Sequence, residues 1–392
     1  MTVPQPTTAG HGDAAPSVSA VVLSYREEPW LERCVHALLE STGVHVEVVL
    51  VDNGCTDGAV DRLAPTPGVT VLRPGENLGF AGGCNAGVAV ATGEFLALIN
   101  GDLVVEADAL SELVAFAEKP GIAVAQPSIR LSDDPSRLNS DGNEVHFLGF
   151  SWCGSFGEPA TKRTSPRSIT SVMGAAMVLR REVWEQLGGF EERYFAYHED
   201  VELCRRCWHR GFELVNVPSA VAVHRYEFGR ESSKLYLSER NRLLFVMTAY
   251  EKRTLLLLAL PFVVVEIAAL VGAATTRSAG TKLAGWTWLF RNRRWIAERR
   301  KFLQSERLVS DAKLAHLFAI RLRAGNFPLP GWLKPLDALL ALYWSVTRRF
   351  LTPRQAAPEP GDRVTGPTAL PRRERRREAT PRMRLLRGRT RP

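Results

Sequence analysis

Sparse cysteine and an opening without the pattern of a leader are the first features of this 392-residue sequence. Its six cysteines (Cys34, Cys55, Cys84, Cys153, Cys204 and Cys207) are scattered, which excludes a disulfide framework as the source of stability. The opening "MTVPQPTTAGHGDAAPS" has neither a basic n-region nor an apolar h-region, so a reducing, cytosolic setting is expected. Cys204 and Cys207 have CxxC spacing, but no second such pair or histidine cluster accompanies them. With Trp208 they share one helical face, a core pattern rather than a metal knuckle. Net charge is also lacking where a folded surface is expected. The chain carries +8, yet residues 353–392 hold 12 Arg against 4 acids, and the remaining 352 residues sum to zero. A basic nucleic-acid face is thereby excluded, and the basicity belongs to a tail. There is no Gly-Lys-Ser/Thr of a P-loop, no GxGxxG after the first apolar run and no internal repeat.

What is present is alternation. Strand-length apolar runs occur at "SAVVLSY" (19–25), "VEVVLVDN" (46–53), "VTVLRP" (69–74) and "EFLALIN" (94–100). Helical patterns lie among them at "EPWLERCVHALLEST", "AGGCNAGVAVA" and "ADALSELVAFAEK". This order predicts an α/β fold with a mostly parallel sheet flanked by helices, whose ligands bind beyond the carboxyl ends of the strands. A polar loop "SDDPSRLNSDGNE", a strand "TSVMGAAMVLRR" and a short helix "EVWEQLGGF" follow. Residues 1–17 read as a disordered arm and 18–245 as one catalytic domain. Residues 246–352 read as apolar and amphipathic helices, and 353–392 as a disordered basic tail.

Within the helical region, "TLLLLALPFVVVEIAALVGAA" (254–274) is long enough for a bilayer core. It contains Pro261 and a central Glu266, and a carboxylate is costly in lipid. "AGWTWLFRNRRWIAERRKF" and "WLKPLDALLALYWSVTRRFL" mix Trp, Leu and Arg as interfacial helices do. Membrane association is the expectation, with spanning and docking both open, and a soluble helical appendage is the alternative. The tail suits an anionic membrane surface or is a solvated extension.

Polar residues follow the strands directly. In "VDNGCTDG" (51–58), Asp52 and Asp57 suit a base N–H or a ribose hydroxyl, although Asn-Gly and Asp-Gly are also turn dipeptides. "ENLGFAGGCNAG" (76–87) is a Gly-rich loop opening a helix, a place that favours anionic groups. Asp102 in "LALINGDLVV" can hold a divalent cation bridging two phosphates. His224, ending "VPSAVAVH", suits Mn²⁺ as a further ligand or is structural. Glu199 and Asp200 stand at a helix start in "YFAYHEDVELCRRC", where acids either complement the macrodipole or remove a substrate proton.

Taken in this order, the motifs resemble the family 2 inverting glycosyltransferases, and most of all bacterial rhamnosyltransferase- and galactofuranosyltransferase-like members, over about residues 18–245. The resemblance implies the A-type glycosyltransferase fold, Rossmann-like, with a nucleotide-sugar donor and Mg²⁺ or Mn²⁺. Position by position, Ser24, Tyr25 and Glu27 match the first nucleotide-binding loop, Asp52 the acid contacting the base, and Asp57 the acid of the next turn. Asn77, Gly79, Phe80 and Asn85 match the loop lining the donor site. Asp102 matches the last acid of the DXD motif, with Asn100 where many members carry the first. Asp200 matches the catalytic base, with Glu199 beside it near the acceptor, and His224 a metal-binding histidine of some members. No QxxRW follows, so a processive synthase is not implied. The resemblance implies a dTDP-rhamnose-like or UDP-sugar donor, a lipid-linked or polysaccharide acceptor, and a place at the cytoplasmic face of the cell membrane, peripheral or single-span. A non-catalytic relative that binds nucleotide-sugar as a scaffold is the alternative, supported by Asn100.

Overall fold

Apolar runs that lack alternation fold as interior strands, because a strand covered on both faces has no polar side. The computed structural model describes residues 15–225, 232–275, 278–325 and 331–351. The expected arm up to residue 14 and the basic tail 353–392 lie outside the described residues. In chain order the first half runs β1 (Ser17–Arg26), α1 (Leu31–Leu39), β2 (His45–Cys55), α2 (Ala59–Leu63), β3 (Val69–Leu72), α3 (Gly79–Val90) and β4 (Phe95–Asn100), then β5 (Leu103–Val105), α4 (Ala109–Ala117) and β6 (Ile122–Leu131). There follow β7 (Leu138–Ser140), β8 (Asn143–His146), β9 (Ser151–Cys153), β10 (Arg167–Ser168), β11 (Ala176–Arg180), α5 (Arg181–Leu187), α6 (Glu199–His209) and β12 (Glu213–His224).

The main sheet has the order β10-β12-β6-β11-β4-β1-β2-β3. β1 is parallel to β2 and β4, β2 to β3, and β6 to β12, whereas β11 is antiparallel to both its neighbours. The sheet is therefore mixed and mostly parallel. Successive side chains of a strand point to opposite faces. Val22 and Leu50 accordingly bury against α1 and α4, while Val21 and Leu23 bury against α3, α5 and α6.

Two expected strands are shorter than their apolar runs. β3 stops at Leu72, because Arg73 leaves the ladder to pair with Asp52 and Asp61. The run from Thr170 becomes a strand only at Ala176. Ahead of it, the Met173 N–H donates to Gln126 Oε1 and the Gly174 N–H to Asp200 Oδ2, so side chains and not a neighbouring strand take these donors. Cys204 and Cys207 lie in the core beside Leu203 and Trp184, as their spacing implied, and all six cysteines are free. Burial pushes the Cys204 thiol up to about 12, which leaves it inert.

Beyond the sheet come α7 (Ser232–Ala249), α8 (Lys252–Thr275), α9 (Ala279–Arg291), α10 (Arg293–Ser305), α11 (Asp311–Leu314), β13 (Phe318–Ala319) and α12 (Lys334–Thr347). They share a third core with the sheet half: Phe147 stacks on Trp344 at 4.8 Å, and Tyr194 and Val201 cluster with Leu258 and Ile296. The boundary expected at residue 245 falls inside α7. Leu244, Phe245, Val246 and Ala249 are all buried there, so the helix has no break to offer.

Candidate active site

Parallel pairing aligns the carboxyl ends of the central strands. Ser24 of β1 sits level with Asp52 of β2, and Leu23 with Asn100 at the end of β4. Ser24 is fully buried, and its hydroxyl has no protein partner among the described residues. Tyr25 just beyond is 43% exposed and lies against Gly54, while Glu27 is exposed in the loop that follows.

The loops that follow are braced by their own polar side chains. Asp52 accepts from the Cys55 N–H at 3.0 Å and pairs with Arg73 at 2.8 Å. Asp57 accepts from Ala59 N and Glu28 N, at 3.0 and 2.9 Å, and from the Cys55 thiol at 2.9 Å, which holds its carboxyl down at about 2. Its oxygens are thus committed to the turn. Asn77 accepts from the Gly79 N–H, and buried Asn53 donates to Asn77 Oδ1 and Gly79 O while accepting from the Leu78 N–H. Asn85 donates to the Phe190 carbonyl and accepts from its N–H, and Phe80 packs 5.9 Å from the Phe190 ring. The amides of Asn77 and Asn85 therefore shape the Gly-rich loop. Asn53 and Arg73 were not singled out as site residues; a polar side chain directly after a buried strand was the available signal.

The Gly-rich loop meets the acid pair through backbone. Gly79 has φ +72°, and a Cβ there would lie 2.4 Å from the Phe195 carbonyl. That same carbonyl accepts from the Ala81 N–H at 3.0 Å. Phe195 itself has φ 64° and ψ −66°, and the Ala196 N–H donates to Tyr194 O at 2.8 Å. This is a γ-turn of the strained hand, and Tyr197 and His198 also have positive φ. Three consecutive-region strains before Glu199 need a clamp. Buried Asn241 of α7 supplies it, with Nδ2 donating to the carbonyls of Tyr194, Ala196 and Tyr197, and Arg240 donates to Arg193 O and Tyr194 O. Sequence reading missed this pair; the only trace was an Arg-Asn-Arg run just ahead of the apolar stretch Leu243–Met247.

Asp200 is 9% exposed. Its Oδ1 accepts from the Val201 N–H at 2.7 Å and its Oδ2 from the Gly174 N–H at 2.9 Å, with Asn143 Nδ2 at 3.5 Å. Burial pushes its carboxyl up to about 6, against the opposing pull of these N–H donors. Glu199 is 5% exposed, and its Oε2 has no partner among the described residues. Burial, then the neighbouring Asp200 charge, raises it well above the carboxylate range. Both carboxyls of the pair are therefore more basic than solvated carboxylates, because burial opposes their charge and each opposes the ionisation of the other. Gly174 and Asn143 are further site residues that the sequence did not disclose.

Just past β4, Asp102 Oδ1 lies 3.2 Å from Nε2 of His224 at the end of β12, and His224 Nδ1 lies 2.8 Å from Asn139 Oδ1. When Nδ1–H donates to Asn139, the Nε2 lone pair faces the Asp102 carboxylate, an arrangement that a cation between them satisfies. Among the described residues no cluster of three His, Cys, Asp or Glu forms. The donor set fits a Mg²⁺ or Mn²⁺ held by one carboxylate and one imidazole, with phosphate oxygens and water completing the shell.

Two family models match the chain, one for glycosyl transferase family 2 over residues 19–188 and one for the N-terminal domain of galactosyltransferase over residues 160–231. The N-acetylglucosaminyl-diphospho-decaprenol L-rhamnosyltransferase of Mycobacterium tuberculosis is 30% identical over 233 residues, 52% of this chain and 74% of that protein. The low-salt glycan biosynthesis hexosyltransferase Agl10 of Haloferax volcanii is 23% identical over 243 residues, 60% of this chain and 77% of that one. The structure of GalNAc-T7 with UDP, GalNAc and Mn²⁺ is similar with a TM-score of 0.51 at 18% identity, a likeness of fold. It covers 62% of this chain and 49% of that one, so this chain matches about half its length. The architecture is thus the α/β A-type glycosyltransferase fold, with a C-terminal helical region. The chain belongs to glycosyltransferase family 2.

Proposed function

We propose that the protein transfers a sugar with inversion from a nucleotide-diphosphate donor, dTDP-rhamnose-like or a UDP-sugar, to a hydroxyl of a lipid-linked or cell-envelope glycan. The similarity to the mycobacterial rhamnosyltransferase supports the donor and acceptor classes. The observation that carries the chemistry is Asp200, a buried carboxylate raised to about 6 and oriented by two backbone N–H groups. An attacking hydroxyl gives its proton to Asp200 as its oxygen bonds to the anomeric carbon, and the bond from that carbon to the diphosphate oxygen breaks. Attack from the face opposite the leaving group inverts the centre. Glu199 beside it, buried and raised well above the carboxylate range, helps keep Asp200 basic.

Asp102 and His224 are the residues that would hold Mg²⁺ or Mn²⁺, which would supply charge neutralisation for the departing diphosphate. Asp52, whose Oδ2 pairs with Arg73, stands at the carboxyl edge of the sheet and would take part in nucleotide recognition there. The reaction takes place at the cytoplasmic face of the cell membrane, where lipid-linked acceptors are found.

Calorimetric titration with dTDP and with UDP, each with and without Mn²⁺, tests this reading. Metal-dependent binding of one nucleotide, lost in Asp102→Ala, is the expected result. Folded protein that binds neither, or that transfers sugar at the wild-type rate as Asp200→Asn, overturns it.

A further inference from the structure

Helix α8 is the one described helix long and apolar enough to cross a membrane, and only 17% of its most apolar window is buried. Its two faces differ in chemistry. The inner face buries Thr254, Leu258 and Pro261 and directs Glu266 into the protein. Glu266 pairs there with Arg242 of α7 and, at 3.1 Å, with Lys282 of α9, and it accepts from Trp286 Nε1. Pro261 has no N–H for the Leu257 carbonyl one turn back. The Tyr343 hydroxyl of α12 donates to that carbonyl at 2.5 Å, so α12 is fastened to α8 at the proline.

The outer face carries Leu256, Leu260, Val264, Ile267 and Val271, spaced as one helical stripe and 41–68% exposed. On the adjoining α12, Leu339, Leu342 and Val346 form a second stripe, 49–64% exposed. The two stripes lie on helices that touch where Tyr343 meets Leu257, an apolar exposure beyond the singly scattered side chains of an ordinary surface. Its margins are cationic. Lys252 starts α8, Arg348 and Arg349 follow α12, all exposed, and the chain then continues into a segment with 12 Arg.

We propose that α8 and α12 lie flat on an anionic lipid bilayer surface, their outer stripes sunk at the headgroup boundary, and that α8 does not span. A spanning α8 would strip Glu266, Arg242 and Lys282 of their partners, and breaking a buried ion pair is strongly destabilising. It would also leave the Leu257 carbonyl bare in hydrocarbon. An in-plane helix keeps every inner contact while burying the outer stripe, and cationic margins complement anionic headgroups. The inference rests on the membrane-surface reading above and adds the face, the orientation and the lipid charge.

The test is sedimentation of the full chain with vesicles of phosphatidylcholine alone and with added phosphatidylglycerol. The expected result is binding about tenfold tighter to the anionic vesicles, reduced at least about tenfold by the combined substitution Leu256→Glu, Leu260→Glu and Ile267→Glu. These side chains are exposed, so the variant should keep its circular dichroism and its nucleotide titration. Equal binding to both vesicles, or a variant that sediments like the wild type, overturns the proposal. So does light scattering showing that the stripe instead pairs two copies of the chain. Retention in cell membranes through an alkaline carbonate wash would identify a span and overturn it as well. The transferase reading is scored separately: vesicle binding without nucleotide binding removes that reading, and nucleotide binding without vesicle binding removes this one.

Discussion

Asn241 Nδ2 lies 2.6 Å from the carbonyl oxygen of Tyr197, two residues before the acid pair, although the two residues are 44 positions apart in sequence. One amide group of α7 thereby fixes a loop whose backbone at Phe195, Tyr197 and His198 is otherwise unfavourable. Asn241→Ala removes the three donated bonds and lets that loop relax. A misplaced base costs turnover rather than donor affinity, so kcat should fall about 10²-fold with nucleotide affinity unchanged by calorimetry. An equal loss of both would mean that Asn241 merely supports the fold.

Asp200→Asn should abolish most transfer, by about 10²–10⁴-fold. The folded carboxyl, at about 6, is raised above its unfolded value. Between those values the native state holds the extra proton, so stability falls as pH rises from about 4 to 6. Urea unfolding of the wild type should therefore show stability falling across that range, and its kcat/KM should rise with pH through about 6. A pH profile flat across this range would count against Asp200 as the base.

His224→Ala should weaken Mn²⁺-dependent nucleotide binding about tenfold. Asn139→Leu should do the same at one remove, because the ring then loses the partner that sets its orientation. If binding without Mn²⁺ falls equally in both variants, the pair braces the loop and does not hold an ion.

Asp57→Ala should lose about 1 kcal/mol of stability together with nucleotide affinity, since its oxygens accept from Ala59 and Glu28 backbone donors. Its depressed carboxyl contributes stability that is present above about pH 4 and lost as pH falls through about 2. Loss of affinity with unchanged unfolding would instead mark a direct nucleotide contact.

The parallel half of the sheet was legible because interior strands are unbroken apolar runs, and a strand end followed by an acid is a local pattern. Asp102, just past β4, carries that pattern, whereas Asp200 at a helix start and His224 closing β12 stood out only through the order of the motifs. Their supports were not legible. Gly174 reaches Asp200 through a backbone N–H, which no residue type announces, and Asn143 comes from a short strand across the chain. Asn241 lies in a helix whose sequence reads as ordinary amphipathic material. The inward turn of Glu266 was equally hidden, because its partners Arg242 and Lys282 come from two other helices.

Four successive residues of α7 divide their loyalties. Arg240 and Asn241 grip the strained loop, while Glu239 and Arg242 join Lys282 and Glu266 in the ion-pair cluster beneath α8. Sheet and helices therefore cannot be exchanged between relatives as independent modules. A chimera spliced just before Arg240 would take the loop and its fastener from different parents, and one spliced just after Asn241 would do so for Glu239 and Arg242, so the two layers are constrained to diverge together, as one heritable piece.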